Sequence, residues 1–175
     1  MKTEALERYL NSFGKYVVQQ SRTNLTKGKK NVSKDLYNSI SFKVITTAEG
    51  FSVQFYMDSY GTFVDKGVSG TEVKRSFKDY KGKTITSPYK YTTKQPPSRV
   101  LDKWIVKKGI APRDEKGRFM SRKSISFLIA RSIKRKGIQG ISFFQKPLML
   151  GLKQFGKEML GAVKDDIING LTTVK

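Results

Sequence analysis

The side chains in this sequence that are equipped for chemistry are few and scattered. Two adjacent carboxylate pairs occur, Asp114–Glu115 and Asp165–Asp166. Neighbouring residues on a helix point about 100° apart, so neither pair converges on a metal ion, and both read as solvated surface. Gly82-Lys83-Thr84 carries the end of a phosphate-binding loop without the upstream glycine at the required spacing, and reads as a turn. His and Cys are absent. That removes the commonest general acid–base, thiol nucleophiles and thiolate metal sites, and suits a reducing compartment. No catalytic residue, metal site or cofactor is expected, and the chain reads as something other than an enzyme.

Charge is the stronger signal. The chain has 35 Lys and Arg against 14 Asp and Glu, a net +21. Residues 74–136 hold 20 of the cations and 4 of the carboxylates, so this one segment carries +16. Lys74, Arg75, Lys78, Lys81, Lys83, Lys90 and Lys94 are candidate contacts for a partner surface or for DNA, with Tyr80, Tyr89, Tyr91 and Phe119 available to stack on bases. A chain this basic binds DNA weakly and salt-dependently whatever its role, and the same charge suits docking on acidic protein faces. No zinc-ligand spacing or recognition-helix signature accompanies it.

The elements that must position these residues follow from periodicity. Residues 3–20 set Leu6, Tyr9, Leu10, Phe13, Tyr16 and Val17 at three- and four-residue steps, an amphipathic helix. The polar stretch 21–34 reads as a loop. From Ser39 the period becomes two, with Ile40, Phe42 and Val44 on one face. Phe51, Val53, Phe55 and Met57 repeat that pattern after Gly50, predicting an antiparallel hairpin over 39–57. Residues 59–67 predict a short helix stopped by Gly67. Residues 72–97 read as an excursion from the core, with a hairpin around KTITS.

Val100, Leu101, Trp104 and Ile105 predict a helix closed by Gly109, with Trp104 as a core anchor. A turn is expected at Lys116-Gly117. A further helix runs from Ser121 or Ser124 to Lys136, with Ile125, Leu128, Ile129 and Ile133 inward, and Gly137 as its stop. GIQGISFF reads as a strand or covering segment. The last helix begins near Pro147 and shows Leu148, Leu152, Phe155, Met159, Val163 and Ile167 inward. With 37% hydrophobic residues in 175, the chain fits one α+β domain over residues 1–175. Its expected architecture is a small antiparallel sheet packed by a long N-terminal and a long C-terminal helix, with a basic helical insertion at about 72–136. No run is apolar for the length a membrane span needs, and the charged first residues do not resemble a secretory signal.

Three segments, DLYNSISFKV, SYGTFVDKGVSGT and SFFQKPLMLGL, resemble in their order the tail-completion and head-tail joining proteins of tailed bacteriophages. The positions that carry the likeness are Ser39 and Ile40 at the strand entry, Tyr60, Asp65 and Gly67 on the turn, and Phe143, Phe144 and Pro147 before the last helix. The resemblance implies a virion neck subunit, assembled in the host cytoplasm, that forms a homo-oligomeric ring of roughly six or twelve copies. Its implied partners are portal or adaptor proteins on one side and tail or other neck proteins on the other, with genome DNA in the channel and no membrane. The alternative is a small basic nucleic-acid-binding protein of phage origin.

Overall fold

The computed structural model describes residues 4–47 and 50–172. The fold is α+β, and the chain divides into two compact units. The first comprises Met1–Gly61, Lys78–Lys83 and Phe143–Lys175; the second comprises Thr62–Phe77 and Thr84–Ser142.

The first unit is built on two long antiparallel helices, α1 (Glu4–Lys27) and α6 (Gln145–Thr172). Near one end Asn24 donates to the carbonyl of Phe143 (3.4 Å), and near the other Asp166 accepts from the backbone N–H groups of Ala5 (3.2 Å) and Leu6 (2.9 Å). Asp166 is therefore a cap supplied from 160 residues away. It satisfies donors that a helix start leaves without acceptors and sets a carboxylate at the positive end of the dipole. This corrects the reading of Asp165–Asp166 as surface: Asp166 is buried and Asp165 is exposed.

Helix α1 also runs seven residues past the expected start of the loop at Ser21. Val17, Ser21 and Leu25 continue one buried stripe at four-residue steps, each with 0% exposure. The hydroxyls of Thr23 and Thr26 donate to the carbonyls of Gln19 and Arg22 one turn back, so these residues are at home in the helix. The stop falls at Lys29 (φ 53°), with Lys30 N–H bonded to the Leu25 carbonyl.

A short helix α2 (Asp35–Ser39) occupies the expected strand entry, and the hairpin pairs β1 (Ser41–Thr47) with β2 (Gly50–Tyr56), Phe42 opposite Phe55 and Val44 opposite Val53. A Cβ at Gly14 of α1 would lie 2.2 Å from Phe42, so the hairpin seats its ring where the helix has no side chain. Phe155 of α6 meets Tyr9, Phe13 and Tyr16 at ring separations of 5.8, 5.8 and 5.5 Å. The inward stripe of α6 starts at Pro147 and Gly151 and ends at Ala162 and Asp166, one position from the predicted one. Leu152, expected inside, is 45% exposed, and the side chain of Ile167 lies outside the described residues.

The second unit contains α3 (Gly61–Lys66, all but its first residue), α4 (Ser98–Lys107) and α5 (Arg122–Lys136). Strands β3 (Ser76–Lys78) and β4 (Thr84–Thr86) form the hairpin expected around KTITS, and its tip, 78–83, belongs to the first unit. There the Asp79 carboxylate accepts from the N–H groups of Lys81 (2.9 Å) and Lys83 (2.7 Å), which makes Gly82-Lys83-Thr84 a turn.

Segments 67–70 and 135–140 pass with their backbones almost touching. Val68 and Ile138 exchange both N–H···O bonds (2.9 and 2.7 Å). A Cβ at Gly70 would fall 2.1 Å from the Arg135 carbonyl oxygen, and one at Gly140 would fall 2.5 Å from the Lys66 carbonyl carbon. The expected strand at GIQGISFF is reduced to this one bridge. Trp104 is not a core anchor: it is 37% exposed, while its neighbour Ile105 (1%) takes the buried position. On α5 the buried residues are Ile125, Ser126 and Ala130, and Leu128, expected inside, is 50% exposed.

Two outcomes follow. Gly14→Ala gains about 1 kcal/mol of helix propensity but forces Phe42 aside at a cost of about 1–3 kcal/mol, so it destabilises, whereas Gly156→Ala, with open space around its Cβ, stabilises by about 0.5–1 kcal/mol. Urea unfolding of the two variants checks the opposite signs. Asp166→Ala removes the cap of α1 and lowers stability by about 1 kcal/mol, read by the same titration.

Candidate functional site

Within the first unit, the motif positions gather on the hairpin and the ends of its helices. The Ser39 hydroxyl donates to the Leu36 carbonyl (3.0 Å) and accepts from the Asp58 N–H (3.0 Å), tying α2 to the chain that leaves β2. Ile40 is fully buried, and its carbonyl, with that of Tyr37, receives the Arg22 guanidinium (2.9 and 3.0 Å). Tyr60 stands in the same neighbourhood. Burial lifts its phenol above the usual tyrosine range, against a backbone hydrogen bond at Leu36 and with help from the charges of Asp58 and Asp35. Phe143 and Pro147 are fully buried, and Phe144 lies edge-on to Phe55 at 5.3 Å.

Asp65 and Gly67 belong to the second unit. Asp65 is buried, and its carbonyl accepts from Ser142 N–H (2.9 Å). Gly67 has φ +76°, and a Cβ there would lie 2.5 Å from Gly140 N. These eight positions are thus joints of the fold, and each has a packing or hydrogen-bonding task of its own.

The seven candidate cations do not form one set. Lys78, Lys81 and Lys83 belong to the first unit, and Lys74, Arg75, Lys90 and Lys94 to the second. Arg75 is a clasp: its Nε donates to the Lys136 carbonyl (2.8 Å) and its Nη1 to Gln139 Oε1 (3.2 Å). Lys74 and Lys90 line a groove with Glu72, Ser87 and Tyr91. Glu72 there is bound by Arg135 Nε (2.5 Å), and that hydrogen bond holds its carboxyl below the usual range. Of the aromatics, Tyr89 is engaged edge-on with Phe63 at 4.6 Å, and burial raises the Tyr91 phenol. Tyr80 and Phe119 are exposed, each beside a cation, Lys81 at 5.6 Å and Arg113 at 3.9 Å from the ring.

A second basic groove, which the sequence did not single out, lies between α4 and α5. It is lined by Ser98, Arg99, Asp102 and Lys103 from the first turns of α4, and by Arg122, Lys123 and Ser126 from the start of α5. The signal was the four-residue spacing of Arg99–Lys103 and of Arg122–Ser126, diluted among the many other cations. Among the described residues, no group of three His, Cys, Asp or Glu could hold a metal ion, and no helix is long and apolar enough to cross a membrane.

Comparison with protein-family models, with curated proteins and with solved structures returns no match. What the chain does has to be argued from its own surfaces.

The clasp separates Arg75 from the other cations. Arg75→Gln lowers stability by about 1 kcal/mol, while Lys74→Gln and Lys90→Gln leave it within about 0.5 kcal/mol; chemical denaturation of the three variants side by side checks this.

Proposed function

We propose that this chain is a structural virion protein of a tailed bacteriophage, one subunit of a neck or tail-completion ring between the portal side of the capsid and the tail. It works by shape and adhesion and performs no catalysis. The observation that carries this reading is the outer face of α6. The helix spends one stripe on its own unit, yet Leu150, Leu160 and Ile168 are 49%, 73% and 46% exposed. On a 3.6-residue helix these three fall within about 80° of one another, interleaved with lysines. A helix apolar on two sides is matched by two sets of neighbours. Burying each such side chain is worth about 1.5–3 kcal/mol, which is the currency of subunit association.

Head-to-tail copies close into a ring when the rotation between them closes, and such an interface joins two different faces of the subunit. The order of the Ser39–Ile40, Tyr60–Gly67 and Phe143–Pro147 segments supports placing that ring in a phage neck. Portal or adaptor proteins and other neck or tail proteins are then its neighbours, and the host cytoplasm is where it assembles.

A second reading, a basic nucleic-acid-binding protein of phage origin, is favoured by the second unit, which holds 18 Lys and Arg against 5 Asp and Glu, a net +13.

Particle composition decides between the two. Purified virions are expected to hold the chain in a fixed, small copy number that survives nuclease and moderate salt. In isolation, Leu160→Glu is expected to keep its circular dichroism and sediment as a monomer while the unaltered chain sediments as a ring. A chain that is monomeric at every concentration and missing from particles sinks the ring, and loss from particles on nuclease treatment transfers the case to the second reading.

A further inference from the structure

We propose that the groove between the first turns of α4 and α5 is a binding site for a phosphate group, and that its occupant is a phosphodiester of a nucleic-acid backbone. The ligand's source rests on the second reading above; the site itself is independent of ring assembly.

The observation that singles out this groove is Ser126. Its residue is 3% exposed, and its hydroxyl has no hydrogen-bond partner in the structure. Buried hydroxyls are nearly always bonded, and one left over on a residue that lines a groove is a donor without an acceptor. Ser126 lines the groove together with Arg99, Lys103, Arg122 and Lys123, four cations against the single carboxylate of Asp102.

The first turns of both helices line this groove. The first-turn N–H groups of a helix have no acceptor inside it and carry the positive end of its dipole. In α5, Ser121 Oγ takes the N–H of Ser124 (3.1 Å), so one of these donors is satisfied within the helix. In α4, the capping position is Pro97, which offers no side-chain cap, although its carbonyl takes the N–H of Val100 (3.1 Å). Four cations, an orphan hydroxyl donor and the positive ends of two helix dipoles make a seat for a group that only accepts hydrogen bonds and is negatively charged, and a phosphate is such a group.

The ion pair already present does not fill the site. Arg122 and Asp102 stand 3.7 Å apart with both side chains largely in solvent, 64% and 44% exposed, and such a pair is weak enough to yield Arg122 to a phosphate oxygen. The surroundings favour a polyanion over a single small anion: residues 98–136 hold 13 Lys and Arg against 3 Asp and Glu, more charge than one phosphate neutralises. A nucleic-acid strand gains by laying further phosphates along that field and releasing its counterions.

The test is titration of a fluorescently labelled DNA duplex with the full chain over a salt series, with inorganic phosphate as competitor. Ser126→Ala is expected to weaken duplex binding about five- to tenfold at every salt concentration without changing the salt slope, since the lost group is uncharged. Its thermal midpoint should stay equal or rise, because the change removes an unsatisfied buried hydroxyl. Arg122→Gln should weaken binding and reduce the slope by about one, and inorganic phosphate should compete less well against either variant than against the unaltered chain. Arg122 is exposed, so that variant carries the test if Ser126→Ala fails to fold. Salt-dependent duplex binding that is untouched in both variants overturns the site while leaving the nucleic-acid reading in place. No duplex binding by the unaltered chain at low salt overturns both. Phosphate binding that is lost in Ser126→Ala while duplex binding is kept overturns the assignment of the occupant.

Discussion

The second unit hangs on one constraint: two stretches of backbone, 67–70 and 135–140, approach so closely that no side chain fits between them. Gly67, Gly70, Gly137 and Gly140 are each placed where a Cβ would collide with main-chain atoms of the other stretch, at 2.1 to 2.6 Å. Main chain against main chain is stiff, because neither side has a rotamer to move. The junction then distributes order outward. Ser69 gives its N–H to Tyr89 and its carbonyl to Tyr91, and the Ser87 hydroxyl donates to the Gly67 carbonyl (2.7 Å). Arg75 holds the end of α5 through Lys136. A loop of mixed Lys, Tyr and Pro has little core of its own, and these bonds give it one.

The first unit obeys a different logic, that of side chains filling gaps left by small residues. Gly14 receives Phe42, Gly151 lies beneath Phe13 and Tyr16, and Phe155 meets the rings on α1 at angles between 50° and 71°. Such a core fixes the approach of the two long helices, and Asp166 fixes their register along the axis by binding the first amides of α1. Apolar packing tolerates sliding by a fraction of a turn; a carboxylate on two N–H groups does not.

Periodicity carried the sequence reading where the spacing was apolar and failed where small or polar residues did the packing. The helix over residues 4–20, the hairpin, the short helix before Gly67, the turn at Lys116-Gly117 and the stop at Gly137 were all visible. In the first unit, Ser21 hid the last turns of α1, and the α6 stripe was right at Phe155 but one position off toward its ends, because Gly151 and Ala162 pack inward while Leu152 looks outward. In the second unit, Trp104 drew attention from Ile105, and Ser126 and Ala130 line the buried side of α5 where bulkier Leu128 was expected. Each miss has one cause. Hydrophobicity marks what prefers burial, and close helix contacts are made by residues small enough to permit them. The cap at Asp166 was beyond reach for another reason, since nothing local distinguishes it from Asp165.

The same distinction governs the candidate sites. The motif positions are spent inside the fold: Ser39 on two backbone groups, Ile40 and Phe143 in the core, Gly67 at the backbone junction. Residues so engaged explain why a segment keeps its shape and say little about what touches it. Function has to be sought in what the fold leaves exposed or unsatisfied, namely Leu150 and Leu160 on α6, and Ser126 beside the cations between α4 and α5. These two surfaces differ in chemistry. The apolar face gains by excluding water and is indifferent to salt, whereas the basic groove gains by replacing counterions and weakens steeply as salt rises. A protein that seats against like subunits while its charged segment meets a phosphate backbone would use both, and the different salt responses allow the two attachments to be separated in one preparation.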